Sequence, residues 1–185
     1  MRLIPRDSLV ATPWKNGGGV TRQIACFPPE SGLDDFHWRI STAEVSQDGA
    51  FSRFEGVDRR LYLLEGTGLD LDFGGEATRR LRTGEHIDFA GEAAVNGRLV
   101  DGPVTDLNIM VRRGRLRLRA ERLTVEGTGD VTHAWGTAVL FVLAGEIAVA
   151  DRQARRFDTV LLDRREKVTI GGAAEILMIG FAPAD

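Results

Sequence analysis

The segment from Trp14 to Arg22, reading WKNGGGVTR, sets an indole, an ammonium, an amide, a hydroxyl and a guanidinium around three consecutive glycines. Backbone without Cβ atoms can take positive φ and lets a ligand or another chain segment come into contact with bare peptide groups. Two readings stand on these residues alone: a binding loop, or a glycine-rich bulge between strands with polar flanks. A nucleotide loop is excluded. Lys15 precedes the glycines instead of following them, and no Gly-x-Gly-x-x-Gly is present. Arginines supply a second chemistry. Strand alternation puts Arg39 on one face with Ser41, and Arg59 on one face with Leu61 and Leu63. A guanidinium among strand leucines either snorkels at a rim or is held inside, where its fork can grip a carboxylate through two hydrogen bonds. The alternative for Arg59 is an ion pair with an aspartate that pins a loop.

Other constellations are weaker. The histidines, His37, His86 and His133, lie far apart and form neither His-x-His nor His-Glu-x-x-His, so no metal site is expected. Asp70 and Asp72 share a strand face and could act as acid and base, or form a solvated edge. No Gly-x-Ser-x-Gly elbow occurs. Arg113, Arg115, Arg117 and Arg119 alternate with Gly114, Leu116, Leu118 and Ala120, which reads as a charged edge strand or as an anion-binding surface. Cys26, the lone cysteine, reads as a small hydrophobe.

The elements that must position these groups read as strands. Short runs rich in β-branched, aromatic and leucine residues recur between glycine turns: His37–Ile40, Arg60–Leu64, Leu69–Phe73, Asn108–Val111, Leu116–Val125, Ala138–Leu143, Thr159–Leu162, Val168–Ile170 and Glu175–Phe181. One short helix is expected near Asp7–Thr12. The two halves echo each other. LYLLEG at 61–66 matches LFVLAG at 140–145, Arg79–Thr83 matches Arg155–Thr159, and DLNIMVRR at 106–113 aligns loosely with EILMIGFA at 175–182. Three echoes in one order suggest a duplicated β-barrel unit, with the look of a cupin barrel. The expected fold is all-β: a double cupin of two tandem jelly rolls with little helix. Its N-terminal barrel spans 1–113 and its C-terminal barrel half 114–185, with strand exchange between halves allowed. Polar groups with inward potential concentrate in the first half, so a ligand pocket is expected there. The second half serves as scaffold or dimer contact.

The 185 residues suit one domain or two small halves, and 43% hydrophobic with 28% charged residues is the composition of a globular protein. The net charge of −3 argues against nucleic acid as a partner. No apolar run reaches the roughly 18 residues that cross a membrane. MRLIPRDSLV lacks a signal-peptide pattern, and with the single cysteine this predicts a cytoplasmic location.

Four motifs in order then resemble one family: WKNGGGVTR at 14–22, WRISTAEV at 38–45, GAFSRFEGVDR at 49–59 and DLNIMVRR at 106–113. The chain resembles the HutD/Ves proteins, which are bicupins; Ala50 stands where that family usually has proline. The resemblance implies a metal-free double cupin without cofactor, a non-enzymatic sensor or modulator of histidine utilisation that binds a small acid such as formylglutamate or urocanate. It implies a pocket lined by Lys15, Asn16, Arg22, Arg39, Ser41, Phe51, Ser52, Arg59, Asp106 and Asn108. Arg59 would be the main clamp, with Arg39 and Asn108 in support and Trp14 and Phe51 as walls. The rival is a metal-independent isomerase or lyase with His86 or Asp72 as base. A third reading is a partner-binding protein that uses the Arg113–Arg119 segment. A homodimer and a regulatory protein partner are compatible with all three.

Overall fold

Alternation along each strand decides which side chains face inward. On Val57–Glu65 the residues Arg59, Leu61 and Leu63 are buried on one face, and on Trp38–Val45 the residues Arg39, Ser41 and Ala43 share a face. The computed structural model describes residues 1–185 except 76, 134, 163–166 and 185. In chain order the strands are β1 (Arg2–Ile4), β2 (Ala11–Pro13), β3 (Gly19–Phe27), β4 (Trp38–Val45), β5 (Gly49–Ala50), β6 (Val57–Glu65), β7 (Leu69–Asp72) and β8 (Arg79–Leu81). There follow β9 (His86–Ala90), β10 (Asn96–Leu99), β11 (Val104–Arg112), β12 (Leu116–Val131), β13 (Thr137–Val149), β14 (Arg152–Arg155), β15 (Thr159–Leu162) and β16 (Val168–Pro183).

The expected helix near Asp7–Thr12 is absent. Arg6–Ser8 forms a single 3₁₀ turn, and Ala11–Pro13 is a strand paired with Val20–Arg22. Pro5 and Pro13 bracket too few residues for a helical nucleus, and the cross-strand partner decides the rest.

Two compact units result, Val10–Arg115 and Met1–Leu9 with Leu116–Asp185. The N-terminal segment groups with the C-terminal unit through β1, which pairs antiparallel with β15. In the Val10–Arg115 unit one sheet runs β2-β3-β4-β11-β6-β9 and a second runs β5-β10-β7-β8. They pack through Val45, Leu61 and Leu63 of the first against Leu69, Leu71 and Leu81 of the second. This is the two-sheet logic of a jelly roll, with inner faces interdigitating to exclude water.

In the other unit a single sheet runs β1-β15-β13-β16-β12, with β14 on β13. Leu140, Val142, Ile147, Ile176 and Met178 are buried in its core. The order β4-β11-β6 of one unit recurs as β12-β16-β13 in the other. The central strands of these triplets, β11 and β16, carry the echoed segments. Where β11 has Asp106 and Asn108, β16 presents Ile176 and Met178 to an apolar core. The strand that opens the C-terminal unit begins at Leu116, so Arg113 and Arg115 lie in the preceding turn. Arg113 there pairs with Asp58 and Glu92, and Arg115 contacts His37.

Candidate functional site

Three cross-strand rungs on the inner face of the larger sheet build the site. In the first, Met110 of β11 stands opposite Arg39 of β4 on one side and Arg59 of β6 on the other, and Arg59 stands opposite Phe89 of β9. In the second, Asn108 lies between Ser41 and Leu61; in the third, Asp106 lies between Ala43 and Leu63. The Asp-x-Asn-x-Met spacing thus puts a carboxyl, an amide and a thioether in one inward column of the central strand, because alternate residues share a face. On β6 the leucines pass into the packed core and Arg59 is left at the polar end.

Two loops close over this column. The β2–β3 turn supplies Trp14, Lys15 and Asn16, and the segment after β5 supplies Phe51, Ser52 and Phe54. Together they enclose a cleft of about 520 Å³ that is also lined by Thr21, Leu33, Arg39, Ser41, Arg59, Asp106, Asn108 and Met110.

The glycine run is what lets the first loop close. Gly17 takes φ +71°, and Gly18 N–H donates to Asn16 Oδ1 at 3.0 Å, an Asx-type turn. Gly19 packs so closely on the carbonyl of Glu44 and the indole of Trp14 that no Cβ would fit. Trp14 is then fixed from its polar end, its Nε1–H donating to Thr21 Oγ1 at 2.8 Å. WKNGGGVTR is thus a tight turn between strands whose Trp14, Lys15 and Asn16 line the cleft.

Arg59 is 5% exposed and held on all sides. Its Nη2 donates to Asn108 Oδ1 at 2.6 Å and its Nη1 to the Ser52 carbonyl at 3.0 Å, while Nε is buried without a partner. Its guanidinium carbon lies 4.9 Å from the centroid of Phe89 and 5.6 Å from those of Phe51 and Phe54. Such aromatic faces stabilise a desolvated cation. Burial nonetheless lowers Arg59 to about 10; Asp106 opposes the shift and the like charge of Arg39 adds to it. Arg39 is also buried, donating from Nε to Gln23 Oε1 at 2.8 Å and from Nη1 to Ser41 Oγ at 3.2 Å.

Asn108 bridges Arg59 and Asp106, accepting from the first and donating from Nδ2 to Asp106 Oδ1 at 2.6 Å. Asp106 is fully buried and its Oδ2 has no partner. Burial drives its carboxyl up to about 7, against the opposing pull of Arg59 and the Asn108 hydrogen bond. The charged side chains lining the cleft are thus Lys15, Arg39, Arg59 and Asp106. The arrangement suits an anion.

Ten of the residues expected from sequence line this cleft: Trp14, Lys15, Asn16, Arg39, Ser41, Phe51, Ser52, Arg59, Asp106 and Asn108. Arg22 does not; its Nη1 pairs with Glu44 Oε1 at 2.6 Å. Strand alternation explains this, since Thr21 is the residue of that stretch that reaches the cleft. Phe54, Leu33 and Met110 join the lining without having been expected there. Phe54 sits within the GAFSRFEGVDR run, and Met110 shares the spacing of Asp106 and Asn108, so the chain signals both; Leu33, in a loop, carries no signal.

The bases of the rival enzyme reading lie elsewhere. Asp72 is exposed and accepts from Gly74 N–H at 2.9 Å, and the exposed His86 sits 4.8 Å from the ring of Tyr62. Asp70 is paired with Arg80 and Arg98 rather than with Asp72. Among the described residues no group of three or more His, Cys, Asp or Glu could hold a metal ion. Among them too, no helix is long and apolar enough to cross a membrane.

A family model described as HutD matches residues 6–178. The chain belongs to the HutD family. All four motifs and every residue of the cleft fall within the matched span. Protein Ves of Citrobacter koseri is 38% identical over 140 residues, 75% of this chain and 71% of Ves. A 21.2 kDa protein in the hutC 3′ region of Pseudomonas putida is 31% identical over 173 residues, 91% of this chain and 90% of its own length. HutD from Pseudomonas fluorescens SBW25 superposes with a TM-score of 0.86 at 27% identity, covering 100% of this chain and 99% of that HutD. A cupin barrel protein from Leptotrichia buccalis shares the fold, with a TM-score of 0.63 at 12% identity over 97% of this chain and 95% of its own. The chain is therefore an all-β protein of cupin fold.

Proposed function

We propose that this member of the HutD family binds a small carboxylate in the Arg39–Arg59 cleft and acts as a non-enzymatic sensor or modulator of histidine utilisation. One observation carries the reading: two buried guanidinium groups line one cleft, and the only acid lining it among the described residues is a carboxyl that burial holds near neutrality. Two desolvated cations that repel each other are relieved by an anion placed between them. Arg59 has a buried Nε–H still to donate, and Lys15, exposed at the mouth with no partner among the described residues, adds positive potential on the way in. Two relatives support the chemistry and the setting: HutD from Pseudomonas fluorescens was solved in a formate condition, and another relative sits in the hutC 3′ region.

The test is a thermal-shift and calorimetric panel of formate, urocanate, formiminoglutamate, N-formylglutamate, glutamate and histidine, on wild type and Arg39→Gln. A ligand at a hundred times its Kd adds about 2.7 kcal/mol to stability, well within detection. The expected result is a shift with at least one acid that weakens tenfold or more in affinity in Arg39→Gln. No shift with any acid, at concentrations up to tens of millimolar, would overturn the assignment.

A further inference from the structure

Asp106 has a surrounding that a permanently ionised carboxylate would not tolerate. It is 0% exposed, and its cross-strand neighbours on the same face are Ala43 and Leu63. Its Oδ1 receives one hydrogen bond, from Asn108, and its Oδ2 receives none. Around it β4 brings Arg39, β6 brings Arg59 and the β2–β3 loop brings Lys15, whereas Thr21 of β3 and the cleft residues Ala50, Phe51, Ser52 and Phe54 are uncharged. Glu44, which stands opposite Thr105, belongs to the other face by alternation, and a register shift between Thr105 and Asp106 sets Glu65, at the end of β6, opposite Thr105 rather than Asp106. Asn108 occupies the position through which Arg59 would otherwise reach Asp106, since it spends its carbonyl on the one and its amide on the other. A buried carboxyl oxygen that no donor reaches favours the neutral acid.

An incoming carboxylate sharpens that preference. It places a second negative charge in the same low-dielectric cleft, and where two carboxyl groups share a site the pKa of one is strongly raised. We propose that Asp106 determines which charge the cleft accepts: the carboxylate ligand is held only with Asp106 in its acid form, so a proton is bound with the anion whenever Asp106 starts ionised. Asp106 is then a specificity residue, and capture of the acid is linked to proton concentration. The proton comes from solvent and returns to it on release, and no bond other than O–H is made or broken. This inference rests on the carboxylate reading of the cleft. It is consistent with the carboxyl's position near neutrality before any ligand arrives.

The experiment is titration calorimetry of wild type and Asp106→Asn with N-formylglutamate, between pH 5.5 and 8.5, in two buffers of different ionisation enthalpy. The carboxyl groups of that probe stay ionised across the range. In wild type, proton uptake should rise from near zero at pH 5.5 toward one per ligand at pH 8.5. Affinity should fall by up to about tenfold per pH unit above neutrality. Asp106→Asn, which copies the acid form, should bind with pH-independent affinity and take up no proton. Wild type that binds with flat affinity and no uptake at pH 8.5 overturns the proposal and leaves the carboxylate reading intact. Asp106→Asn that keeps the wild-type pH dependence overturns it in the same way. Wild type that binds none of the six acids at any of these pH values overturns both.

Discussion

Arg39 and Arg59 stand on either side of Met110 in a single cross-strand rung, two buried like charges separated by a thioether. With strands about 4.8 Å apart, their Cα atoms are roughly 9–10 Å from each other. That separation is too wide for one hydrogen-bonded contact and narrow enough for one small anion to be reached by both flexible side chains. Met110 itself offers neither guanidinium a hydrogen-bond acceptor; Arg59 turns to Asn108 and Arg39 to Ser41 on the next rung.

Arg59→Ala should destabilise the protein and Arg59→Lys should do so less. The alanine variant leaves Asn108 Oδ1 and the Ser52 carbonyl without their donor and empties the space between Phe51, Phe54 and Phe89. A loss of about 2–4 kcal/mol is expected, from unsatisfied acceptors and a cavity together. Urea unfolding at pH 7 measures it. A midpoint unchanged from wild type would show that the three rings do not depend on the cation between them.

Asp106 predicts a pH profile for the unliganded protein. Its folded pKa, about 7, lies above that of an unfolded aspartate, so the folded state binds more protons between about pH 4 and pH 7. The stabilisation from this group is complete below about pH 4 and is lost as pH rises through about 7. Asp106→Asn should remove that slope and exceed wild type in stability above about pH 7, by at most roughly 4 kcal/mol for a shift of this size. Urea midpoints from pH 4 to 8.5 compare the two; parallel profiles would mean that Asp106 is ionised in the fold throughout.

Much of this site is legible along the chain because strand alternation is local. The pairs Arg39–Ser41 and Arg59–Leu61 follow from neighbours two apart, and the GAFSRFEGVDR run places Phe51 and Ser52 beside Arg59 by proximity alone. What alternation does not give is that β11 lies between β4 and β6, since strand order is settled by contacts far apart in sequence. For that reason the spacing that joins Met110 to Asp106 and Asn108 does not reveal that it stands between Arg39 and Arg59. Arg22 fails for the complementary reason: it lies within a motif of the cleft but on the wrong parity, and Glu44 takes it. The Asp7–Thr12 helix fails because β2 finds a partner in β3. Leu33 reaches the cleft from a loop, where no period exists to read.

Gly17 and Gly19 should respond differently to alanine. At Gly17 a Cβ meets open space, and only the positive φ is penalised, by about 1–2 kcal/mol. At Gly19 it would collide with the Glu44 carbonyl and press within 3.2 Å of the Trp14 ring, so β3 or the indole has to move. Gly19→Ala should therefore shift tryptophan fluorescence, weaken the Trp14–Thr21 hydrogen bond and impair ligand capture, while Gly17→Ala lowers stability with the emission spectrum retained. Equal spectra for the two variants would argue that Trp14 is not positioned by Gly19.

Lys15 separates steering from holding. It is exposed at the cleft mouth with no ion-pair partner among the described residues, so Lys15→Ala should leave the unfolding free energy measured in urea within about 0.5 kcal/mol of wild type. Its charge acts on an approaching anion through solvent, where a Debye length of about 8 Å at physiological ionic strength limits its reach. The variant should thus bind a carboxylate more slowly at low salt, with the difference vanishing toward about 1 M, whereas dissociation governed by Arg39 and Arg59 stays the same. Stopped-flow association across a salt series decides the matter. A deficit that persists at about 1 M salt would mean that Lys15 touches the bound anion and belongs with the two buried arginines.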